Sequence, residues 1–215
     1  GKGRIHSVPD VADVAQSATV VVTMLPTDDI VNTVASTLLE AFPTSTSSQC
    51  IIIDCSTVSP KTSRHWHEEA SRRGHVFVDA PVSGGVKGAE EASLTFMVGT
   101  GEDGSDAEED QRLFQEILQP LLLRMGKRVL PCGARGNGAA TKLCNNLALA
   151  CQMIGIAEAT NLGEALGVDP TTLTEVLNTS TAKCWSSEVN NPKIGPVAQK
   201  DYHGGFGSSL MLKDL

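Results

Sequence analysis

The chain has 215 residues, 40% of them hydrophobic, which is enough apolar material for one good core or two small ones. The formal net charge is −8 and no cluster of Lys and Arg stands out, so the composition argues against a nucleic-acid-binding surface. The six cysteines fit no C-x-x-C metal or redox motif, which favours buried free thiols in a reducing compartment.

Strand and helix patterns alternate through the first part of the chain. Three apolar runs, typical of strands buried on both faces, cover residues 18–25, 50–54 and 75–79. Helices are predicted between them, over residues 28–40 with Asp28 as the N-cap and over residues 59–73 with Ser59 and Pro60 at the start. This alternation predicts crossover units and therefore a parallel sheet.

The pattern continues and then changes. Further strands are predicted over residues 94–98 and 128–131, with an amphipathic helix over residues 107–125 between them. After a Gly-rich loop from Gly133, an almost wholly apolar helix over residues 139–166 and another helix from Pro170 are predicted. An all-round apolar helix is typical of a buried helical core, so we place a domain boundary near Gly133.

The long apolar stretch is also the candidate for a membrane span. Within residues 143–157 it is interrupted by Asn145, Asn146 and Gln152, and it is shorter than the roughly 20 residues that a span needs. We therefore expect no membrane partner.

Three loops follow the predicted parallel strands, where open α/β sheets bind their ligands. They are residues 25–27, 55–57 and 80–85. The third contains Ser83, Gly84 and Gly85, which place a hydroxyl beside two unobstructed backbone N–H groups, an arrangement that can hold a carboxylate or phosphate. An ordinary Gly-containing turn is the alternative.

A second constellation surrounds Lys142. Gly136 and Gly138 precede the long helix, and Lys142 and Asn146 are four residues apart, so they share one helix face. An ammonium group and an amide suit proton transfer at a hydroxyl or carbonyl oxygen. Serving as a base near pH 7 would cost a lysine about 4 kcal/mol relative to its ordinary pKa of about 10.4. The alternative is a surface lysine at a helix start.

The two histidines around Trp66 invite a metal site. His65 and His67 are two residues apart on a predicted helix, so they point to different faces. We therefore expect solvated side chains and no metal ligation.

At these loops the chain resembles the β-hydroxyacid dehydrogenase family, from about Pro9 to Leu215. The matching segments, in order, are residues 23–26 (TMLP), 54–57 (DCST), 79–85 (DAPVSGG), 136–146 (G-x-G-x-x-x-K-x-x-N-N), 184–188 (CWSSE), 204–206 (GGF) and 213–215 (KDL). The Trp-Ser-Ser stretch and the final two segments resemble the 3-hydroxyisobutyrate dehydrogenases of this family more than its other members.

The resemblance implies a role for each site residue. Lys142 would be the catalytic general acid/base. Ser83, Gly84 and Gly85 would bind the substrate carboxylate, and Asn146 would hold the substrate. The cofactor, NAD with NADP as the alternative, would be contacted by Leu25, Pro26, Thr57 and Lys213. The implied reaction is oxidation of 3-hydroxyisobutyrate to methylmalonate semialdehyde, in valine catabolism.

The chain also departs from the family pattern. It lacks the family's first strand and G-x-G-x-x-G turn, and it stops where the family continues with more helix. We therefore expect an incomplete Rossmann-type parallel-sheet domain over residues 1–133, followed by an incomplete helical substrate and dimerisation domain over residues 134–215. Ile30 stands where relatives often carry Asn, which weakens the assignment of that cofactor loop.

Other functions remain open within the resemblance. Tartronate, glyoxylate and succinic semialdehyde reductases share the Ser-Gly-Gly loop and the lysine, whereas phosphogluconate dehydrogenases usually carry His at the position of Asn145. Non-catalytic homologues that act as assembly modules typically lose the residue corresponding to Lys142. We further expect a homodimer or homotetramer, located in the mitochondrial matrix if the source is eukaryotic and in the cytoplasm otherwise.

Overall fold

A computed structural model describes residues 6–43, 49–101 and 107–203 of the chain. The chain forms two compact units, residues 1–142 and residues 143–215. The division falls inside the long helix, whereas the domain boundary expected from the sequence lies near Gly133, in the loop before that helix.

The first unit begins with a parallel three-stranded sheet. Its strands follow chain order, β1-β2-β3, and are Val20–Thr23, Ile51–Asp54 and Val76–Asp79. Three helices accompany it: α1 (Val11–Ser17), α2 (Asp28–Ala41) and α3 (Pro60–Arg72). The three predicted strands and the two predicted helices are confirmed, and α1 is an additional helix that the sequence analysis missed.

The start of α2 differs from the prediction. Thr27, not Asp28, is the N-cap, and its hydroxyl accepts a hydrogen bond from the Ile30 N–H at 3.4 Å. Asp28 instead accepts hydrogen bonds from the Ser59 N–H at 3.0 Å and from the Thr62 hydroxyl at 2.5 Å. The carboxylate therefore joins the starts of α2 and α3. The predicted start of α3 is correct, with Ser59 as N-cap and Pro60 as the first helical residue.

A second three-stranded sheet completes the first unit. It contains β4 (Val82–Ser83), β5 (Leu94–Val98) and β6 (Gly126–Pro131), with β4 antiparallel and β6 parallel to β5. Around it lie α4 (Gly85–Glu90), α5 (Ala107–Leu113), a π-helical turn (Phe114–Leu118) and α6 (Gln119–Leu122). β4 and α4 were not predicted. The two sheets meet where the Gly99 N–H donates to the Asp79 carbonyl at 2.9 Å.

The helix expected over residues 107–125 is interrupted. Its middle turn, Phe114–Leu118, is π-helical, and Pro120 follows in the first turn of α6. Proline has no N–H to donate to the carbonyl four residues earlier, and its ring crowds that carbonyl. The prediction of one continuous helix was therefore wrong, although Phe114 and Leu118 still face the core.

Strands β2 and β3 of the first sheet are buried on both faces. Ile52 and Phe77 belong to the apolar cluster with α1, α2 and α3, whereas their neighbours Ile53 and Val78 belong to the cluster with β5 and Phe114–Leu118. Successive residues of a strand point to opposite faces, so both must be apolar. This explains why the strands appear in the sequence as unbroken apolar runs.

The second unit is helical. It contains the later turns of α7 (Asn137–Ala165), α8 (Pro170–Thr179), the short helix α9 (Trp185–Glu188) and a 3₁₀ turn (Ala198–Lys200). The prediction that α7 is buried all round is wrong for the described chain, because Leu147, Ile154 and Leu162 are 57%, 64% and 61% exposed. Within the described ranges, no helix combines the length and apolar character that crossing a membrane requires.

The buried histidine of the first unit makes folding sensitive to acid. His75 accepts a hydrogen bond at Nδ1 from the Cys50 N–H, at 3.3 Å, and burial lowers the pKa of its ring below the ordinary 6.5. As the pH falls below 6.5, the His75 ring becomes protonated in the unfolded chain at a higher pH than in the folded chain. The free energy of unfolding therefore decreases as the pH falls.

We expect the free energy of unfolding, measured with urea at pH 7.5 and 5.5, to decrease at the lower pH. His75→Gln, which keeps an acceptor without a titrating ring, should decrease less over the same interval. His65→Gln is the control, because His65 is exposed and should leave the decrease unchanged. An unaltered pH dependence in His75→Gln would contradict this role.

Candidate functional site

The last residues of the three parallel strands form a polar row. Thr23, Asp54 and Asp79 are paired in register at the carboxyl ends of β1, β2 and β3. Both carboxylates are buried, at 1% and 3% exposure. This edge is where a parallel sheet binds ligands, and the three predicted loops follow from it.

Asp54 organises the first two loops. Its Oδ1 accepts hydrogen bonds from the Thr23 hydroxyl at 2.8 Å and from the Ser56 hydroxyl at 2.5 Å. The Ser56 Oγ in turn accepts from the Leu25 N–H at 2.8 Å. Burial raises the pKa of Asp54, although the hydrogen bonds from Ser56 and Thr23 act in the opposite direction. The predicted cofactor residues Leu25 and Thr57 therefore lie in loops that are tied together.

The Ser-Gly-Gly loop follows β3. Ser83 ends β4 opposite Thr95 of β5 and is half-buried, whereas Gly84 and Gly85 are exposed. Both glycines have positive φ, 142° and 63°, which side chains rarely adopt. A Cβ on Gly84 would also lie 3.0 Å from a methyl group of Leu94. The geometry therefore requires glycine here and leaves the backbone of both residues accessible, as an anion-binding loop needs.

Lys142 lies in the second turn of α7. It is 9% exposed, so the alternative of a surface lysine is contradicted. Asn146, one turn further along the same helix, is 4% exposed, whereas Asn145 is exposed and donates to the Asn146 amide oxygen at 3.4 Å. A buried lysine with a buried amide on the same helix face fits the predicted roles, with Lys142 as the acid/base group and Asn146 as the residue that holds the substrate.

The remaining residues singled out in the sequence differ in whether the structure describes them and in how exposed they are. Lys213 and the Gly204–Phe206 segment lie outside the described residues. Trp185, in the segment 184–188 that carries the resemblance, is 47% exposed. His65 is exposed as predicted, but the prediction of a solvated His67 was wrong, since it is half-buried. Within the described ranges, no three potential ligands gather at a metal site.

The residues that hold the loops together were not among the predicted site residues. Asp54 and Asp79 occur in the quoted motifs, but no role was predicted for either. Their signal was the polar residue that ends each otherwise apolar strand. Arg135 was also missed: it is buried, ion-pairs with Asp110 and donates to the Gly99 carbonyl at 3.1 Å, and so braces the loop before α7.

Models of two known protein families match most of the chain. Residues 2–133, more than half of the chain, match the family described as the NAD-binding domain of 6-phosphogluconate dehydrogenase. The chain belongs to this family. Residues 136–215 match a second family, described as the NAD-binding domain of NADP-dependent 3-hydroxyisobutyrate dehydrogenase. The expected fold class, a Rossmann-type parallel-sheet domain followed by a helical region, is confirmed, and NAD(P) is the cofactor of these families.

The individual relatives include 3-hydroxyisobutyrate dehydrogenases. The chain is 42% identical over 208 residues to the mitochondrial 3-hydroxyisobutyrate dehydrogenase of Drosophila melanogaster and 44% identical over 209 residues to that of Homo sapiens. In both cases the match covers 95% of this chain, and the chain spans about 60% of the length of these curated relatives. The expected resemblance to the β-hydroxyacid dehydrogenases is therefore confirmed.

A solved structure shows the same likeness. It is the 3-hydroxyisobutyrate dehydrogenase of Mycobacterium tuberculosis with L-serine, at 40% identity and a TM-score of 0.80. The match covers 94% of this chain and 66% of that chain.

The residues at the ends of β1 and β2 fit a nicotinamide cofactor. Met24, Pro26 and Ile30, from the end of β1 and the first turn of α2, are all exposed, and apolar side chains of this kind can cover a flat ring. The tied loops carrying Leu25 and Thr57 hold this surface in place. Ile30 presents no polar group on this surface.

The buried thiols of this sheet are chemically protected. Cys55 follows Asp54 and is buried, and burial, reinforced by the charge of Asp54, raises the pKa of its thiol to about 12. Burial also raises the pKa of Cys50. Only the thiolate reacts with thiol reagents, so both should react slowly. We expect DTNB or iodoacetamide to label Cys132 and Cys184, which are partly exposed, well before Cys50 and Cys55.

Peptide mass spectrometry after timed labelling distinguishes the sites. Labelling in denaturant is the control and should reach all four cysteines equally. Fast native labelling of Cys55 would contradict its burial.

Proposed function

We propose that the protein catalyses the NAD-dependent oxidation of 3-hydroxyisobutyrate to methylmalonate semialdehyde. The observation that carries this proposal is the buried Lys142 at the start of a helix anchored to the strand that leads into the Ser83–Gly85 loop. The substrate class comes from the names of the relatives, which are 42–44% identical to the chain over the matched residues.

Different residues bind the substrate and transfer the proton in the proposed reaction. The Ser83 hydroxyl and the backbone N–H groups of Gly84 and Gly85 bind the substrate carboxylate. Asn146 holds the substrate by its hydroxyl group, and Lys142, in its neutral form, accepts the hydroxyl proton. The bound nicotinamide supplies the hydride acceptor. In the reverse direction, Lys142 as an ammonium returns the proton to the aldehyde oxygen.

The cofactor contacts are assigned to the loops at the ends of β1 and β2. Leu25 and Pro26 follow β1, Thr57 follows β2, and Lys213 closes over nicotinamide and substrate. NAD is favoured because the reaction is an oxidation, with NADP as the alternative. The proposed domains are a nucleotide-binding domain over residues 1–133 and a helical substrate and dimerisation domain over residues 134–215.

The proposal also covers the small-molecule partner, the oligomeric state and the cellular compartment. The partner is a small hydroxy acid. A homodimer or homotetramer is proposed because the apolar residues Leu147, Ile154 and Leu162 of α7 are exposed in the chain. The curated relatives are named mitochondrial, which favours the mitochondrial matrix for a eukaryotic source and the cytoplasm for a bacterial one.

A substrate panel tests the proposal. NADH formation by the complete protein would be followed with 3-hydroxyisobutyrate, L-serine, glycerate and 4-hydroxybutyrate. We expect the highest kcat/KM for 3-hydroxyisobutyrate, and repeating the series with NADP determines the cofactor preference. An equal or higher kcat/KM on another substrate would replace the assignment with a related semialdehyde reductase, and inactivity on all would favour the non-catalytic homologue.

A further inference from the structure

Asp79 makes an unusual connection between two parts of the first unit. It ends β3, and its side chain reaches the start of α7, more than fifty residues later in the chain. Oδ1 accepts the Gly136 N–H and Oδ2 accepts the Ala139 N–H, both at 2.9 Å. The Gly136 N–H lies just before α7 and the Ala139 N–H lies in its first turn, where backbone N–H groups have no carbonyl acceptor inside the helix. The side chain of a strand residue therefore serves as the N-terminal cap of α7.

The carboxylate has no room to move. A Cβ on Gly99 would lie 2.2 Å from Oδ1 of Asp79, and a Cβ on Gly138 would lie 2.8 Å from Oδ2. The Asp79 backbone is fixed as well, because its carbonyl accepts the Gly99 N–H at 2.9 Å. Two glycines therefore let the strand and the helix approach so closely that Asp79 is held by its neighbours on both sides.

The consequence reaches Lys142. Ala139 and Lys142 are three residues apart, so they lie on nearly the same face of α7, about one turn from each other. A hydrogen bond that fixes Ala139 against β3 therefore fixes the height and rotation of Lys142. The same strand continues into the loop of Ser83. A displacement of about 1 Å at a reacting group can cost on the order of 100-fold in rate.

We propose that Asp79 is the positioning residue for Lys142: by capping α7 with both carboxylate oxygens it fixes the lysine relative to the loop that holds the substrate carboxylate. This inference rests on the proposed role of Lys142 as the acid/base group. Asp79 itself touches neither substrate nor cofactor in this role.

An isosteric substitution tests the positioning role. In Asp79→Asn one amide NH₂ must face a backbone N–H donor, because both oxygens of Asp79 accept such donors. We expect kcat to fall about 10- to 100-fold with the KM for NAD within twofold. Asp169→Asn is the matched control: Asp169 caps α8 through Oδ1 alone, at 3.0 and 2.9 Å from two N–H groups, so the amide oxygen can replace it and kcat should stay native.

A double-substitution cycle shows whether the effect passes through the lysine. If Asp79 acts by placing Lys142, then Lys142→Ala should cost less in the Asp79→Asn background, by about the factor that Asp79→Asn costs alone. Costs that simply multiply would overturn the positioning role. Native kcat in Asp79→Asn together with a large loss in Lys142→Ala would overturn this role alone, whereas native kcat in Lys142→Ala would overturn the proposed function as well.

A measurement on the unsubstituted protein covers the case in which Asp79→Asn does not fold. The Ala140 N–H donates within α7 to the Gly136 carbonyl at 3.0 Å, whereas the Ala139 N–H depends on Asp79. With ¹⁵N-alanine labelling, we expect hydrogen exchange at Ala139 to be as slow as at Ala140. Exchange at Ala139 at the rate of an unprotected first-turn amide would overturn the proposal.

Discussion

Replacing Lys142 by alanine is expected to lower kcat about 10²- to 10⁴-fold while the affinity for NAD stays within about twofold. A positioned acid/base group contributes this much, and alanine leaves nothing at its place to receive the hydroxyl proton. Lys142 lies on α7, apart from the loops at the ends of β1 and β2 that are assigned to the cofactor. Steady-state kinetics and calorimetric titration with NAD measure the two quantities separately.

Two further substitutions sharpen this result. Lys142→Arg keeps the positive charge but remains protonated at any working pH, so it should not restore activity. Lys127→Ala removes an exposed lysine of β6 and should leave kcat unchanged. Activity that survives in Lys142→Ala would show that another group moves the proton.

Adding one methyl group at Gly138 is expected to cost about 1–3 kcal/mol of stability. In Gly138→Ala the new Cβ would lie 2.3 Å from the Met97 carbonyl oxygen and 2.8 Å from Oδ2 of Asp79. The Met97 carbonyl belongs to the backbone of β5, and the Asp79 carboxylate is held by two hydrogen bonds, so neither can move aside at low cost. The start of α7 must therefore shift away from β3 and β5. We expect the midpoint of urea unfolding to fall, and kcat to fall with it because Lys142 is displaced.

Gly155→Ala is the matched control for Gly138→Ala. It makes the same chemical change in the same helix, but nothing lies within 4 Å of the added Cβ. Because alanine favours a helix over glycine, we expect stability to be unchanged or to rise by up to about 1 kcal/mol. Equal effects from the two substitutions would contradict the close approach of α7 to the strands.

The regular elements of the first unit could be predicted because their signals are local. Each central strand is an unbroken apolar run, and Ser59-Pro60 marks a helix start in the sequence itself. The elements that were missed are short, as in β4, or depend on distant partners. The π-helical turn before Pro120 was also missed. The exposed side of α7 was missed because an apolar sequence predicts that a helix face is buried but does not identify the element that buries it.

The candidate site was predictable in a different way. Resemblance identified Lys142 and the Ser83–Gly85 loop, and strand-end position had already selected the loops. The hydrogen bonds from Asp79 to Gly136 and Ala139 could not be predicted, because they join residues more than fifty positions apart. The same holds for the tie from Asp54 through Ser56 to Leu25. Local patterns and resemblance therefore selected the candidate residues, whereas the hydrogen bonds that hold their loops in place could be seen only in the tertiary structure.

In the proposed reaction, hydride passes from the alcohol carbon of 3-hydroxyisobutyrate to the nicotinamide while Lys142 takes the hydroxyl proton. This transfer is tested most directly with substrate carrying two deuterium atoms on that carbon, incubated with NAD and the complete protein. Mass spectrometry should find one deuterium in the reduced nicotinamide and one in the semialdehyde product, with formation of both slowed in Lys142→Ala. Reduced nicotinamide without deuterium, or no reduction at all, would contradict the account.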